Sequence, residues 1–402
     1  MHHSSENNNA ALSIAALAAA ATGIWSIFNN SNNSSNNYNQ TEIEASFNQA
    51  LAYTQQGNYH QATQIFLAIL QQNPQHAPTY NYLAWIYAIH NYQLDQALAF
   101  AKNAVQLANN HVDRACFIDT LAEVYAHRQE FDAAIKLSLE CLQIFQSLNK
   151  YPSSPTTYFR LAWCYQIKQD LNKTYHFIQQ VIKLNGIGAA EYLTIGDICY
   201  AVAFNIGDKG VFHESLSHFD NAIKHYQISL NIAQKQNLNL EMFRFKLSSC
   251  LNDKARVFVA LEDYQNSQSL YHQSHNVYTS NPYPLVNLAL LAARAKNKPQ
   301  MLLYLTKAMP LIIDMPPYVQ KEKLIYILLT DIDFDFYKED ILGFLFNHGK
   351  INQYEYTKFL KTAIKSNQPI MNFSQQNFYA PVTNAVGEVG GNFIYTPQPQ
   401  GI

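Results

Sequence analysis

The sequence predicts an all-α chain built as a solenoid of about seven stacked helical hairpins, with a hydrophobic N-terminal helix and largely disordered ends. Three observations carry this. Gly (13) and Pro (14) together make about 7% of the 402 residues, against roughly 12% in average proteins, which disfavours loop-rich and all-β folds. Hydrophobic residues are 48% and charged residues only 14%, so a large core is available with little charged surface. An apolar-small-aromatic pattern returns along the chain at spacings that start at 34 residues, the mark of hairpins that bury their apolar faces only against one another.

The N-terminus is read in three pieces. Residues 1–9 are polar. Residues 10–28 form an uncharged, Ala-rich apolar run of 19 residues, long enough as a helix to cross roughly one hydrocarbon core. A single membrane anchor, a helix docked on protein and a secretory signal are its three readings. The last lacks the basic n-region a signal needs. Residues 29–41 are an Asn/Ser linker.

The first full copy, 45–75, places Tyr53 at the end of one helix, Gly57 in the turn and Tyr59 at the start of the next. Ala62 and Phe66 fall between the helices and Pro74 closes the unit. The second copy repeats this with Leu83, Ala84, Tyr87, Ala97 and Ala104. The third uses Leu121, Ala122, Tyr125, Phe131, Ala134 and Cys141. The fourth uses Leu161, Ala162, Tyr165 and Leu171, with Thr174 where a small Ala is expected. A small residue on each helix lets two backbones approach, and the aromatics fill the space above and below. Weaker copies start near 189, 248 and 282; the fifth is stretched by an irregular segment at about 204–217. On this reading the extra residues of the array fall in loops.

These units resemble the tetratricopeptide repeat, a helix–turn–helix of 34 residues, over 43–309. The resemblance implies a groove lined by the first helix of each unit (helix A). In this chain that groove would present Phe47, Leu51, Asn81, Trp85, Asp119, Glu123, His127, Phe159 and Trp163. Packing of Trp85 and Trp163 against the next unit is the competing reading. The family's clamp for carboxylate termini needs Lys and Arg at such positions, and these residues include neither. An aromatic, mildly acidic groove is expected to suit an extended apolar peptide carrying one basic residue.

Residues 310–365 are expected to form a closing helical cap. Asp331, Asp333 and Asp335 have calcium-loop spacing, but Phe336 and Leu342 stand where that loop needs Gly and Glu. In the tail, 366–402, the segment 377–398 resembles short C-terminal peptides of cyanobacterial and related bacterial proteins, often signalling or conflict proteins. Asn377, Phe378, Ala380, Pro381, Val382, Val386, Gly387, Val389, Gly391 and Asn392 carry the match. Their β-prone composition admits strand addition to a partner, with Phe378, Pro381, Val382, Val386, Val389 and Phe393 as contact candidates.

Other chemistries find little footing. No Lys or Arg precedes Lys102 and the net charge is −2, so no basic patch for nucleic acid is visible. The five cysteines lie far apart, which reads as buried thiols in a reducing compartment and places the repeat array in the cytoplasm. His213 and His218 are five residues apart, off-face for a zinc pair on one helix. No catalytic, metal or cofactor residue is expected. The sequence therefore points to a protein-binding scaffold or adaptor. The alternatives are a bacterial signalling or defence regulator recruiting an effector through the tail, and an enzyme with a site in the irregular fifth unit.

Overall fold

The computed structural model describes residues 37–148, 155–184, 186–313 and 337–347, with single residues at 328, 334, 353 and 357. The 10–28 run and the tail candidates lie outside the described residues. Among the described residues no helix is long and apolar enough to cross a membrane.

All regular structure in the described residues is helical. The helices are α1 (Asn37–Gln55), α2 (Tyr59–Gln72), α3 (Ala77–Ile89), α4 (Leu94–Gln106), α5 (His111–His127), α6 (Phe131–Ser147), α7 (Thr156–Ile167) and α8 (Leu171–Ile182). They continue with α9 (Ala189–Asp208), α10 (Phe212–Lys235), α11 (Glu241–Ala260), α12 (Tyr264–Val277), α13 (Tyr283–Arg294), α14 (Lys298–Ile313) and α15 (Lys338–Asn347). Odd-numbered helices from α1 to α13 are the A helices, and each is followed by its B helix. Two compact units divide inside α9, between Ile198 and Cys199.

One backbone device makes every A-to-B turn. A residue with positive φ sits one position past the cap: Gly57 (74°), Asn91 (49°), Gln129 (65°), Gln169 (62°), Gly210 (79°), Glu262 (60°) and Lys296 (56°). The next residue's N–H reaches back five residues to a helix carbonyl. Asn58 bonds Tyr53 O (2.8 Å), Glu130 bonds Tyr125 O (2.9 Å) and Asp170 bonds Tyr165 O (2.9 Å). The positive-φ residue itself bonds three back, as Gly57 does to Thr54 O at 3.1 Å. Together these are Schellman closures, which satisfy the last carbonyls of the A helix. In six of the seven hairpins the residue that ends the motif directly precedes the B helix, and Asp170 and Asp263 cap it by accepting from Lys173 N–H and Asn266 N–H at 3.1 Å. An aromatic residue is thus the one whose carbonyl receives the long turn bond in five of the seven hairpins.

In the first unit, the core runs through Phe47, Ala62, Phe66, Leu83, Ala84, Ala97 and Leu121, and continues in Ala104, Ala115, Phe117, Cys141 and Phe145. Alanines at the helix crossings are fully buried. Thr174 takes one such place without penalty, because its hydroxyl donates to Asp170 O at 2.9 Å. Successive hairpins are also tied at their turns. Arg128, capping α5, pairs with Asp95 in the first turn of α4, and Lys168, capping α7, pairs with Asp132 in the first turn of α6 at 2.5 Å. Cation at a C-terminus and acid at an N-terminus both suit the helix dipoles, but both acids are largely exposed, so each tie contributes little.

In the second unit, Ala255, Tyr271, Leu288, Ala289, Leu305 and Met309 form the core, and Phe334, Ile341, Leu342 and Leu345 join it. Phe334 and Leu342, within the segment with calcium-loop spacing, are thus core residues. Buried polar groups here are networked. Ser274 Oγ donates to Ser248 O at 2.7 Å, and Asn281 Nδ2 donates to Ser248 Oγ at 2.9 Å.

The fifth hairpin departs from the sequence expectation. The segment 204–217 is not an irregular loop: α9 continues to Asp208, three residues turn, and α10 begins at Phe212. The added residues lengthen helices, giving 20 residues in α9 and 24 in α10 against 12 in α7 and α8. The segment holds no Pro, and Gly210 supplies the turn, so nothing in it stops a helix earlier. His213 and His218 lie in the first two turns of α10. His218 Nε2 is 3.9 Å from Glu214 Oε1, and among the described residues no metal-holding cluster of His, Cys, Asp and Glu occurs.

Candidate functional site

The predicted groove residues all lie in the first unit, on α1, α3, α5 and α7. In this layer α3 packs on α5 and α5 on α7. The layer sorts them into three groups.

Phe47, Leu51 and Phe159 are core. Phe47 is 0% exposed and its ring meets those of Phe66 (5.6 Å), His76 (5.0 Å) and Tyr82 (5.7 Å). Leu51 and Phe159 are buried as well. Their expected place at the groove surface is corrected. Phe47 packs both on its own hairpin at Phe66 and on the next at Tyr82, and large apolar side chains gain most by burial.

Asp119, Glu123 and His127 form a charge network around a residue the sequence reading passed over. Arg160, on α7, is 2% exposed. Its guanidinium donates to both oxygens of Asp119 (2.7 and 3.2 Å), to Glu123 Oε2 (2.7 Å) and to Ser138 Oγ (3.2 Å). Thr157 donates its hydroxyl to Asp119 Oδ1 at 2.7 Å. His127 lies with Nε2 3.2 Å from Glu123 Oε1 and Nδ1 2.9 Å from Asn91 Oδ1. Burial alone would raise the Glu123 carboxyl's pKa, but Arg160 and His127 outweigh it and hold the group below its ordinary range. Arg160 is held above its ordinary value against burial by the same two carboxylates. Asp119 and Glu123 are therefore already engaged, which corrects the expectation that they await a basic ligand residue. The signal was present in the sequence: a lone cation in an apolar helix, with two acids at i and i+4 on the preceding A helix. It was missed because Arg160 stands off the groove positions.

Asn81, Trp85 and Trp163 are part-exposed. Trp85 packs edge-on against Tyr59 at 6.2 Å and flanks the core. Asn81 Oδ1 and Trp163 Nε1 are buried and have no hydrogen-bond partner among the described residues. An unpartnered buried polar atom costs on the order of 1–3 kcal/mol.

Nucleophile chemistry is disfavoured here. Cys164, beside this layer, has its thiol pushed up to about 12, chiefly by burial. Cys141 is pushed higher still, again by burial first. Both are protonated at neutral pH.

Residues 43–76, which form most of the first hairpin, match the tetratricopeptide repeat family. The match is to a single repeat unit. Its boundaries coincide with hairpin α1–α2 and the loop to α3, and the six later hairpins reuse its turn geometry. Among solved structures, apo RapI is similar over 82% of this chain and 99% of its own, at 13% identity and a TM-score of 0.50; this shows the fold alone. Pseudomonas aeruginosa PilF matches over 61% of this chain and 96% of its own, with 16% identity and a TM-score of 0.41. The APC/C Cut9–Hcn1 hetero-tetramer matches at 15% identity and a TM-score of 0.39, over 65% of this chain but only 44% of that one. No curated protein matches the chain.

Proposed function

We propose that this chain is a non-enzymatic interaction scaffold that seats an extended, largely uncharged peptide along the A-helix layer α3–α5–α7. Tetratricopeptide folds generally mediate protein–protein contacts. The observation that carries the reading is the pair of unpartnered polar atoms, Asn81 Oδ1 and Trp163 Nε1. Both side chains are part-exposed, so a change of rotamer brings either atom to the surface. There a peptide N–H and C=O would satisfy them. Trp85 and Trp163 add the aromatic anchors typical of binding hot spots. The Arg160 network holds the layer in place and already engages both carboxylates of α5.

The test is selection of a random peptide library on immobilised full-length protein, beside Trp85→Ala/Trp163→Ala. The expected outcome is enrichment of neutral, apolar sequences on the native protein and loss of that enrichment on the double variant, with an unchanged helical signal. Enrichment of the same peptides by both proteins would sink the proposal.

A further inference from the structure

Two tryptophans hold the same place in the repeat. The second hairpin reads Leu83-Ala84-Trp85-Ile86-Tyr87, the third Leu121-Ala122-Glu123-Val124-Tyr125 and the fourth Leu161-Ala162-Trp163-Cys164-Tyr165. Both flanks of these stretches do the same work in all three. Ala84, Ala122 and Ala162 are fully buried at the helix crossings. Tyr87, Tyr125 and Tyr165 each accept the long turn bond at 2.9 Å. A residue held between an equivalent crossing and an equivalent turn sits at the same height on α3, α5 and α7. Trp85 and Trp163 are therefore related by two steps of the stack, with Glu123 at the step between.

The step sets a distance. Packed helices lie about 8–10 Å apart, and α3 packs on α5 and α5 on α7. Two steps put the indoles about 16–20 Å apart. An extended chain rises roughly 3.3 Å per residue and covers that span in about five or six residues. Alternate side chains of an extended chain share one face, so of those two counts only six turns both residues toward the layer.

The middle step offers no third anchor. Glu123 is buried, its Oε2 accepts from Arg160 at 2.7 Å and its Oε1 lies 3.2 Å from His127 Nε2. The outer steps differ. Trp85 and Trp163 are part-exposed, and Trp163 Nε1 has no hydrogen-bond partner among the described residues.

We propose that the peptide seated on the α3–α5–α7 layer carries two large apolar residues at i and i+6, one for Trp85 and one for Trp163, with no apolar anchor between them. The spacing rests on the groove assignment above and adds to it a minimum length of about seven residues.

The probes are capped, fluorescein-labelled peptides with two Phe residues in a Ser/Thr background, at spacings from i,i+2 to i,i+8, and one peptide with a single Phe. Fluorescence anisotropy with full-length protein gives the affinities. At i,i+4 and below no peptide reaches both indoles, because a chain extends at most about 3.6 Å per residue. The expected result is single-Phe affinity at those spacings and a gain of about tenfold or more at i,i+6, the return from joining two contacts by a spacer that fits. The i,i+5 and i,i+7 peptides bind less tightly than i,i+6, since their second Phe faces away. Trp85→Ala or Trp163→Ala, with helical signal unchanged, returns the i,i+6 peptide to the single-Phe level. The spacing series is read on native protein, so it decides even where a variant unfolds. A flat series, or a maximum at another spacing, whose binding Trp85→Ala/Trp163→Ala removes overturns the spacing and leaves the groove assignment standing. No binding by any peptide, or equal binding by the folded double variant, overturns both.

Discussion

Arg160 closes on Asp119 of the preceding hairpin in a two-pronged contact, with 2.7 Å from one guanidinium nitrogen to Oδ1 and 3.2 Å from the other to Oδ2. The same guanidinium reaches Glu123 at 2.7 Å. One buried side chain thus fixes the spacing of two A helices, α5 and α7.

Removing that side chain strands two acids. Arg160→Ala is expected to cost about 3–5 kcal/mol, the usual result of breaking a buried pair from one side. Asp119, being partly exposed, pulls the figure toward the lower end. Arg160→Lys keeps the charge but not the planar fork, and should recover only part of the loss. Replacing all three groups by apolar residues, Arg160→Met with Asp119→Leu and Glu123→Met, should restore most of the stability, because the desolvation cost goes with the charges. Urea unfolding of the four proteins checks this. A triple variant no better than Arg160→Ala would mean that the network is worth more than its burial costs.

The network also sets a pH dependence. Folding lowers the Glu123 pKa below its ordinary 4.5. The unfolded chain then takes up this proton first as pH falls, so the group stabilises the fold above the unfolded pKa. That contribution is lost as pH drops through the folded value. Stability should decline below about pH 5 with a slope that Glu123→Gln reduces. Urea midpoints measured across that range decide it; an identical slope in the variant would remove Glu123 from the acid response.

The turn geometry gives a prediction of opposite sign. Gln129, Gln169 and Lys296 occupy left-handed backbone at φ 65°, 62° and 56°. A side chain there is strained by roughly 1–2 kcal/mol, and glycine relieves it. Glycine's greater freedom in the unfolded chain takes back about 0.5–1 kcal/mol. Each substitution to Gly should therefore stabilise by up to about 1 kcal/mol. Gly57→Ala, at φ 74°, should destabilise by a similar amount. Thermal and chemical melts of the single variants measure both directions.

These cases show what could be read without coordinates. Gly57 announces its turn, because glycine is the ordinary solution for positive φ. Gln129 and Gln169 make the same turn unannounced, and only the recurrence of Tyr125 and Tyr165 four residues earlier betrays them. The aromatic–alanine pattern located the first four hairpins because burial and close helix approach tolerate few residue types. The length of α9 and α10 was illegible, since no local signal says whether a segment without breakers continues a helix or leaves it. Arg160 was legible only across helices, as a lone cation in an apolar helix that follows two acids at i and i+4 on the preceding A helix. Its role depends on Asp119 and Glu123, about forty residues upstream, and periodicity within one helix carries no trace of such a partner. The division of the groove candidates into core and part-exposed residues likewise depends on the stacking of the next hairpin, which the A helix alone does not encode.

That division can be measured. Phe47 and Trp85 were both expected on the same face, yet Phe47 is wholly enclosed and touches three rings, whereas Trp85 is part-exposed and meets Tyr59 edge-on. Phe47→Ala should cost about 3–5 kcal/mol, the transfer loss plus the cavity left among rings that cannot collapse onto it. Trp85→Ala removes a larger side chain but leaves a surface notch that water can fill, so only its transfer term is lost and the cost should be about half as great or less. Denaturant unfolding of the two variants separates the cases. Equal losses would make Trp85 a core ring like Phe47, and the indole would then be unable to serve a bound peptide without unfolding its own hairpin.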